Sequence, residues 1–180
     1  MGSGMSGEWS VRRRILEQLK ERDPLLSASL ASMGMTCVPV ISMFCPMLTM
    51  LDLSNNMITV IPEHLQRFVH LSTLDVSTNQ LSSLPDFLAS FTCLTVLRAS
   101  DNNISQLPES LTAPSITSLS LCRNYLSLGL HATLCQSLSS LKILHLSNNG
   151  LGPAATATLV FLTALVELNL GVNNLGGESL

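Results

Sequence analysis

Residues 48–62 read LTMLDLSNNMITVIP, and this stretch sets the pattern for most of the chain. Three leucines at spacings of three and two residues precede Asn56, and Pro62 closes the segment. The same pattern returns 23 residues later, with its asparagine at Asn79, and again after another 23, with its asparagine at Asn102. Self-similarity at a fixed period of this length predicts a stack of repeated structural units.

The pattern extends beyond these three units in both directions. Stepping back 23 residues puts apolar side chains on the repeat positions and Met33 on the asparagine position, so residues 25–47 are interpreted as a degenerate first repeat. The later units are spaced by 22, 25 and 24 residues. The sequence therefore predicts repeats that start at about residues 48, 71, 94, 116, 141 and 165. It stops at Leu180, where a further outer segment is expected to begin, and we interpret this as a truncated array.

An LxxLxLxxN core with a period of 20–29 residues is typical of leucine-rich repeats, and residues 25–180 resemble that superfamily. The first units resemble the short repeats of intracellular proteins, and the 24- and 25-residue units resemble the ribonuclease-inhibitor type. The resemblance implies an α/β solenoid, with a curved parallel β-sheet on the concave face and 3₁₀ or α segments on the convex face. It implies a protein-binding role and names no partner.

The segments that connect the strands change character along the chain. Residues 62–69 and 85–92 are short and begin with proline, which predicts extended or 3₁₀ backbone. Residues 131–140 and 153–164 have no proline after their starts and place leucines at helical spacing, which predicts α-helices.

Residues 1–24 are predicted to form an N-terminal tail and an amphipathic capping helix. Ser10 is a suitable N-cap, and an apolar stripe at helical spacing can cover the open end of the solenoid. A basic amphipathic helix that binds anionic lipid is the alternative. Gly2 fits an N-myristoylation template, although the same segment resembles an expression-tag remnant or an upstream start before Met5.

Composition excludes several classes of protein. Charged residues make up 12% of the chain and the net charge is −3, so nucleic acid is not an expected partner. The uncharged stretch 25–51 leaves a membrane span as an alternative, which its prolines and Gly34 disfavour.

Neither the cysteine spacing nor any Cys/His cluster indicates a metal site, and no cofactor is expected. The cysteines are odd in number and have no paired spacing, which indicates reduced thiols and predicts a cytoplasmic protein. Peripheral membrane contact is expected only if Gly2 is acylated. The five cysteines are Cys37, Cys45, Cys93, Cys122 and Cys135.

The repeat spacing assigns a structural role to one asparagine in each unit. The leucines at the fourth and sixth positions of a unit alternate inward along a short strand. The asparagine at the ninth position lies where the chain leaves that strand, and its amide can pair buried backbone donors and acceptors. The predicted asparagine ladder is Asn56, Asn79, Asn102, Asn124, Asn149 and Asn173.

The outward-facing residues of the strands are the candidate partner-binding residues of the concave face. Asp75 and Arg98 are expected to lie on neighbouring strands and to pair in part, so a self-neutralised, solvated face is the alternative. Cys122 and His145 lie on adjacent units but lack an orienting carboxylate and an oxyanion donor, so no catalytic site is predicted. The candidate residues are Asp52, Asp75, Arg98, Ser120, Arg123, His145 and Asn169.

The predicted function is a non-catalytic scaffold or adaptor that binds a protein partner through the concave face. One alternative is the recognition part of a larger signalling enzyme, such as a kinase, a phosphatase regulator or a ubiquitin ligase. Another is an adaptor tethered to a membrane through acylated Gly2.

Overall fold

Seven parallel strands form one sheet in the computed structural model, which describes residues 10, 13, 14, 17, 26–40, 45–111 and 115–176. The strands lie side by side in chain order, each paired with the next. This order confirms the predicted solenoid, in which each unit stacks on the one before it. The strands are Ser27–Ser29 (β1), Met50–Asp52 (β2), Thr73–Asp75 (β3), Val96–Arg98 (β4), Ser118–Ser120 (β5), Ile143–His145 (β6) and Glu167–Asn169 (β7).

The central residues of the strands form one continuous apolar row. Ala28 pairs in register with Leu51, and the same pairing continues from strand to strand. The row is fully buried as far as Leu144, whereas Leu168 is 43% exposed because no described strand lies beyond β7. Burial of these side chains is the main stabilising term, and each unit obtains it only from its neighbours. The row consists of Ala28, Leu51, Leu74, Leu97, Leu119, Leu144 and Leu168.

The convex segments agree with the sequence prediction in three cases and differ in the fourth. Glu63–Arg67 and Asp86–Ser90 are 3₁₀-helices, and Ala132–Ser137 is an α-helix (α1). The predicted second α-helix is wrong, because Pro153–Phe161 is a 3₁₀-helix. Its sequence, PAATATLVF, places β-branched residues at alternate positions, and these disfavour the α-helix. The Thr158 hydroxyl also donates to the Leu130 carbonyl (2.6 Å), which fastens the segment to the preceding unit.

The residue immediately before each ladder position has a left-handed backbone. This conformation costs a non-glycine residue about 1–2 kcal/mol, so seven successive cases require compensation from the stack. At six of these positions a backbone hydrogen bond to the next unit supplies it, as where the Thr78 N–H donates to the Ser100 carbonyl (2.8 Å). The residues, with φ between 53° and 59°, are Ser32, Asn55, Thr78, Asp101, Arg123, Asn148 and Val172.

The uncharged N-terminal stretch folds as a repeat in its described part. Ala28, Leu30, Met35 and Val38 are all buried, as a degenerate repeat requires. Met33 occupies the asparagine position and is half-buried against the core. No helix among the described residues is long and apolar enough to cross a membrane.

The predicted capping helix is described at four positions only. Ser10, Arg13, Arg14 and Glu17 are helical, and Nε of Arg13 lies 3.0 Å from Oε1 of Glu17. The apolar stripe of this helix and the acylation candidate Gly2 lie outside the described residues, as do residues 177–180, where a further convex segment was expected. These points stay predictions.

Candidate functional site

The ladder asparagines join each unit to the preceding one. Oδ1 of Asn102 accepts the N–H of Leu81 (3.0 Å), which belongs to the preceding unit. Its Nδ2 donates to the Val76 carbonyl (3.0 Å) in that unit and to the Ala99 carbonyl (3.2 Å) in its own. Equivalent bonds occur at the other predicted positions: Asn56, Asn79, Asn124, Asn149 and Asn173.

Successive asparagines also share backbone carbonyls. The Val76 carbonyl accepts Nδ2 of Asn79 and Nδ2 of Asn102, each at 3.0 Å. A carbonyl oxygen has two lone pairs and can accept both donors. An interior rung of the ladder is therefore partly redundant.

A second row of side-chain bonds was not identified from the sequence. A hydroxyl at the second position of each of four units donates to a backbone carbonyl of the preceding unit, 2.9–3.2 Å away. The signal was present, because serine or threonine recurs there until Lys142 interrupts it. The row consists of Thr49, Ser72, Thr95 and Thr117.

On the concave face, the Asp52 carboxylate is occupied by neighbouring residues. Oδ1 accepts both the N–H (3.0 Å) and the hydroxyl (2.7 Å) of Ser54, and Oδ2 accepts the hydroxyl of Ser29 (3.0 Å). Partial burial raises the pKa of Asp52, but these hydrogen bonds and the positive charge of Arg14 outweigh it and leave the pKa below its ordinary value. Asp52 therefore closes the turn at the end of β2.

Asp75 and Asn169 close their turns in the same way, each by accepting one backbone N–H through a single side-chain oxygen. Oδ1 of Asp75 accepts the N–H of Ser77 (2.9 Å), and Oδ1 of Asn169 accepts the N–H of Gly171 (3.0 Å). Oδ2 of Asp75 has no hydrogen-bond partner in the described part of the chain. One oxygen of Asp75 is thus available on the concave face.

Arg98 is exposed and lies in register with Asp75 on the adjacent strand. The predicted pairing between them is nevertheless wrong, since no ion pair joins these two described residues. The Ser77 N–H draws the Asp75 carboxylate towards its own strand end. Nor does the guanidinium of Arg98 contact any other acceptor among the described residues.

Arg123, by contrast, is paired. Its Nε donates to Oδ1 of Asp101, and its Nη2 donates to Oδ2 of the same carboxylate (2.6 Å). The hydrogen bond to Asp101 and the negative charge of Asp101 raise the pKa of Arg123 above its ordinary value. Both residues occupy the left-handed position of adjacent units, so they lie at the margin of the concave face. The pattern of outward positions did not identify Asp101 as the partner.

The C-terminal side of the face carries a second contact that the sequence did not predict. Nε2 of His145 lies 2.9 Å from Oε1 of Glu167 on the next strand. Ser120 lies between Arg98 and His145 in the sheet register. No hydrogen bond joins His145 to Cys122 in the described structure, so these two residues do not form a nucleophile–base pair.

Apolar side chains flank the charged positions. Met50 is 44% exposed at the third position of its unit, and Val96 and Ile143 are half-buried at the equivalent positions of β4 and β6. The concave face therefore combines apolar contact area with a few polar groups, a composition common in protein-binding surfaces.

The described residues contain neither a metal site nor a disulfide. No group of three His, Cys, Asp or Glu side chains there is placed to hold a metal ion. All five cysteines are free thiols, and burial raises the pKa of Cys45 and Cys135.

Comparison with known proteins agrees with this architecture. The family profile "Leucine Rich repeats (2 copies)" matches residues 46–90. No curated protein matches the chain significantly. A leucine-rich repeat protein of Leptospira interrogans is similar, at 23% identity over 89% of this chain and 46% of that chain, with a TM-score of 0.76.

Two other solved structures show the same fold. An internalin of Listeria monocytogenes is 25% identical over 86% of this chain and 44% of that chain, with a TM-score of 0.69. The ectodomain of a plant membrane receptor kinase from Arabidopsis thaliana, in complex with Casparian strip integrity factor 2, is 26% identical over 77% of this chain and 20% of that chain, with a TM-score of 0.62. The chain spans less than half the length of each of these structures.

A solenoid of parallel strands whose units are joined by an asparagine ladder belongs to the class of repeat proteins. The chain has the leucine-rich repeat fold, and the leucine-rich repeat profile matches its residues 46–90. The assignment of its units to the short and ribonuclease-inhibitor subtypes stays a prediction.

Proposed function

We propose that the protein is a non-catalytic scaffold that binds a protein partner through the concave face of its β-sheet. The observation that carries this proposal is the division of each strand from β1 to β6 into a buried centre and two outward side chains. The outward side chains form a continuous curved surface with exposed Met50 and Arg98. Surfaces of this kind are the usual binding faces of solenoids.

A pair of matched variants tests the proposal. Val96→Arg introduces a bulky cation at the centre of the concave face, whereas Val69→Arg makes the same change on the convex side, where Val69 is 57% exposed. Partners captured from cells by the wild-type protein should be lost with Val96→Arg and retained with Val69→Arg. Equal capture by both variants would place the binding surface elsewhere.

We further propose a cytoplasmic location, which the five free thiols support because exposed thiols persist in reducing compartments. A second candidate function is the recognition part of a longer signalling protein. The similar ectodomain of a plant membrane receptor kinase is itself one part of a longer protein, which supports that candidate. The apparent mass of the endogenous protein on an immunoblot separates the two, because a scaffold of this size migrates near 19.3 kDa.

A further inference from the structure

Three ionisable groups on the concave face and at its margin are satisfied within the protein. Asp52 accepts three hydrogen bonds through its two oxygens, and Nε2 of His145 contacts Glu167. At the margin, Arg123 is held by Asp101 through two donors. These groups would have to give up internal contacts in order to bind a partner, which lowers their net contribution to affinity.

Asp75 and Arg98 differ from the other ionisable candidates, which are Asp52, Arg123 and His145. They are neighbours across the β3–β4 pair, yet Oδ2 of Asp75 and the whole guanidinium of Arg98 have no partner among the described residues. Together they present one acceptor and one cationic donor side by side. We call these two residues the charge couplet.

We propose that the charge couplet is the recognition centre of the concave face and that it binds an extended protein segment carrying one carboxylate and one basic side chain two residues apart. The carboxylate contacts Arg98 and the basic side chain contacts Asp75. This inference rests on the proposed function of the concave face. It makes Asp52 and Arg123 structural residues rather than binding anchors.

The spacing of the partner's charges follows from the sheet. Adjacent strands lie about 4.8 Å apart, and an extended segment that crosses them advances about 3.3 Å per residue. Side chains at i and i+2 of that segment point to the same side and lie about 6.6 Å apart, so flexible acidic and basic side chains at these positions can reach the two members of the couplet.

The apolar flanks add a second requirement. Met50 lies one strand beyond Asp75, and Ile143 lies two strands beyond Arg98. Val96 lies on the same strand as Arg98, two residues before it. The partner segment should therefore carry apolar side chains on either side of its charged pair, where they remove apolar area from water.

A displayed library of random 12-residue peptides, selected on the complete 180-residue chain, tests the proposal. Selected peptides should be enriched in an acidic and a basic residue two positions apart. Synthetic copies should bind Arg98→Glu and Asp75→Lys at least tenfold more weakly than wild type. The matched controls Arg123→Gln and Asp52→Asn, measured on variants that melt cooperatively, should change affinity less than twofold.

A charge exchange makes the test specific for orientation. The double variant Asp75→Lys, Arg98→Glu should regain binding to a peptide in which the acidic and basic residues have been exchanged. Failure of this exchange, or binding to Arg98→Glu within twofold of wild type, overturns the inference.

The failure of this inference can be separated from the failure of the proposed function. Peptides that lose binding to Val96→Arg but tolerate both couplet variants leave the concave face as the binding surface and overturn only the couplet. Peptides that bind Val96→Arg as well as wild type, or a library that yields no binders, count against both.

Discussion

Replacing Asn56 by alanine should destabilise the protein more than replacing Asn102, although both amides are buried in equivalent positions of the ladder. The Asn102 amide accepts one buried N–H, that of Leu81, which has no other partner among the described residues. Each of the three carbonyls to which Asn102 donates keeps a second donor in the alanine variant. These remaining donors are Asn79 Nδ2, Asn124 Nδ2 and the Thr78 N–H.

Asn56 has more unshared partners because the first repeat has no ladder asparagine. Its Oδ1 accepts the N–H groups of Met33 (3.1 Å) and Met35 (3.0 Å), and its Nδ2 donates to the Leu30 carbonyl (3.0 Å). Met33 occupies the position from which an asparagine would have shared that carbonyl. Among the described residues, Asn56→Ala therefore leaves two N–H groups and one carbonyl without partners.

The magnitudes follow from the number of orphaned groups. An unpaired buried polar group costs about 1–3 kcal/mol, so Asn102→Ala should lower the free energy of unfolding by about 1–3 kcal/mol. Asn56→Ala should lower it by about 3–6 kcal/mol, because one of its three orphaned groups is only half-buried. Asn103→Ala, at the exposed neighbouring position, is the matched control and should stay within about 0.5 kcal/mol of wild type.

Urea denaturation followed by circular dichroism gives the free energies, and hydrogen exchange gives a local readout. The Leu81 amide should exchange faster in Asn102→Ala than in Asn103→Ala. Equal losses of stability for Asn56→Ala and Asn102→Ala would refute the counting of orphaned groups. An unchanged Leu81 exchange rate would refute the assigned acceptor.

Three further predictions concern the turns. Gly129→Ala should lower the free energy of unfolding by about 2–4 kcal/mol, because φ is +76° and a Cβ would clash with the Ala155 carbonyl oxygen. Gly152 has open space around it, so Gly152→Ala should change the thermal midpoint little. Equal effects of the two substitutions would contradict this prediction. Thr78→Asn should raise the free energy of unfolding by about 0.5–1 kcal/mol, because asparagine tolerates a left-handed backbone better than a β-branched residue does. Urea denaturation measures this change, and an unchanged urea midpoint would argue against backbone strain at residue 78. Folding lowers the pKa of Asp52, so the contribution of its carboxylate to stability is present above the unfolded pKa of about 3.9 and is lost as pH falls through the lower folded pKa. Between pH 5 and pH 2 (about 1–2 units either side of that value) the free energy of unfolding should therefore fall less for Asp52→Asn than for wild type. Parallel curves of unfolding free energy against pH would contradict the assignment.

The architecture was predictable because it follows from spacing alone. A leucine pattern that recurs about every two dozen residues leaves each unit with an apolar face that only a neighbouring unit can cover, so Leu51 and Leu74 had to lie in register. The convex segments were harder to predict. Residues 153–161 have the length of a helix, but their outcome depends on β-branched content and on contacts with the preceding unit, such as the bond from Thr158.

The state of each outward side chain could not be predicted from its position. Asp52 and Asp75 have the same place in the repeat and the same turn contact, but Ser29 and the Ser54 hydroxyl complete only the first carboxylate. Likewise, the pairing of Arg123 depends on a left-handed turn that the sequence pattern does not mark, because serine, threonine and valine also occupy that position elsewhere in the chain.

The distribution of satisfied and unsatisfied groups has a consequence for recognition. Every repeat must close the turn at the end of its strand, and an aspartate or asparagine at the fifth position does so through one side-chain oxygen. A side chain committed to the turn is held in place, so its remaining atoms are presented with little conformational freedom. Asp75 is therefore a pre-organised acceptor, whereas Arg98 has no turn contact within the described part of the chain and remains adaptable. The basic group of the partner is therefore expected to contact the rigid Asp75 carboxylate first. The flexible Arg98 side chain then reaches the carboxylate of the partner.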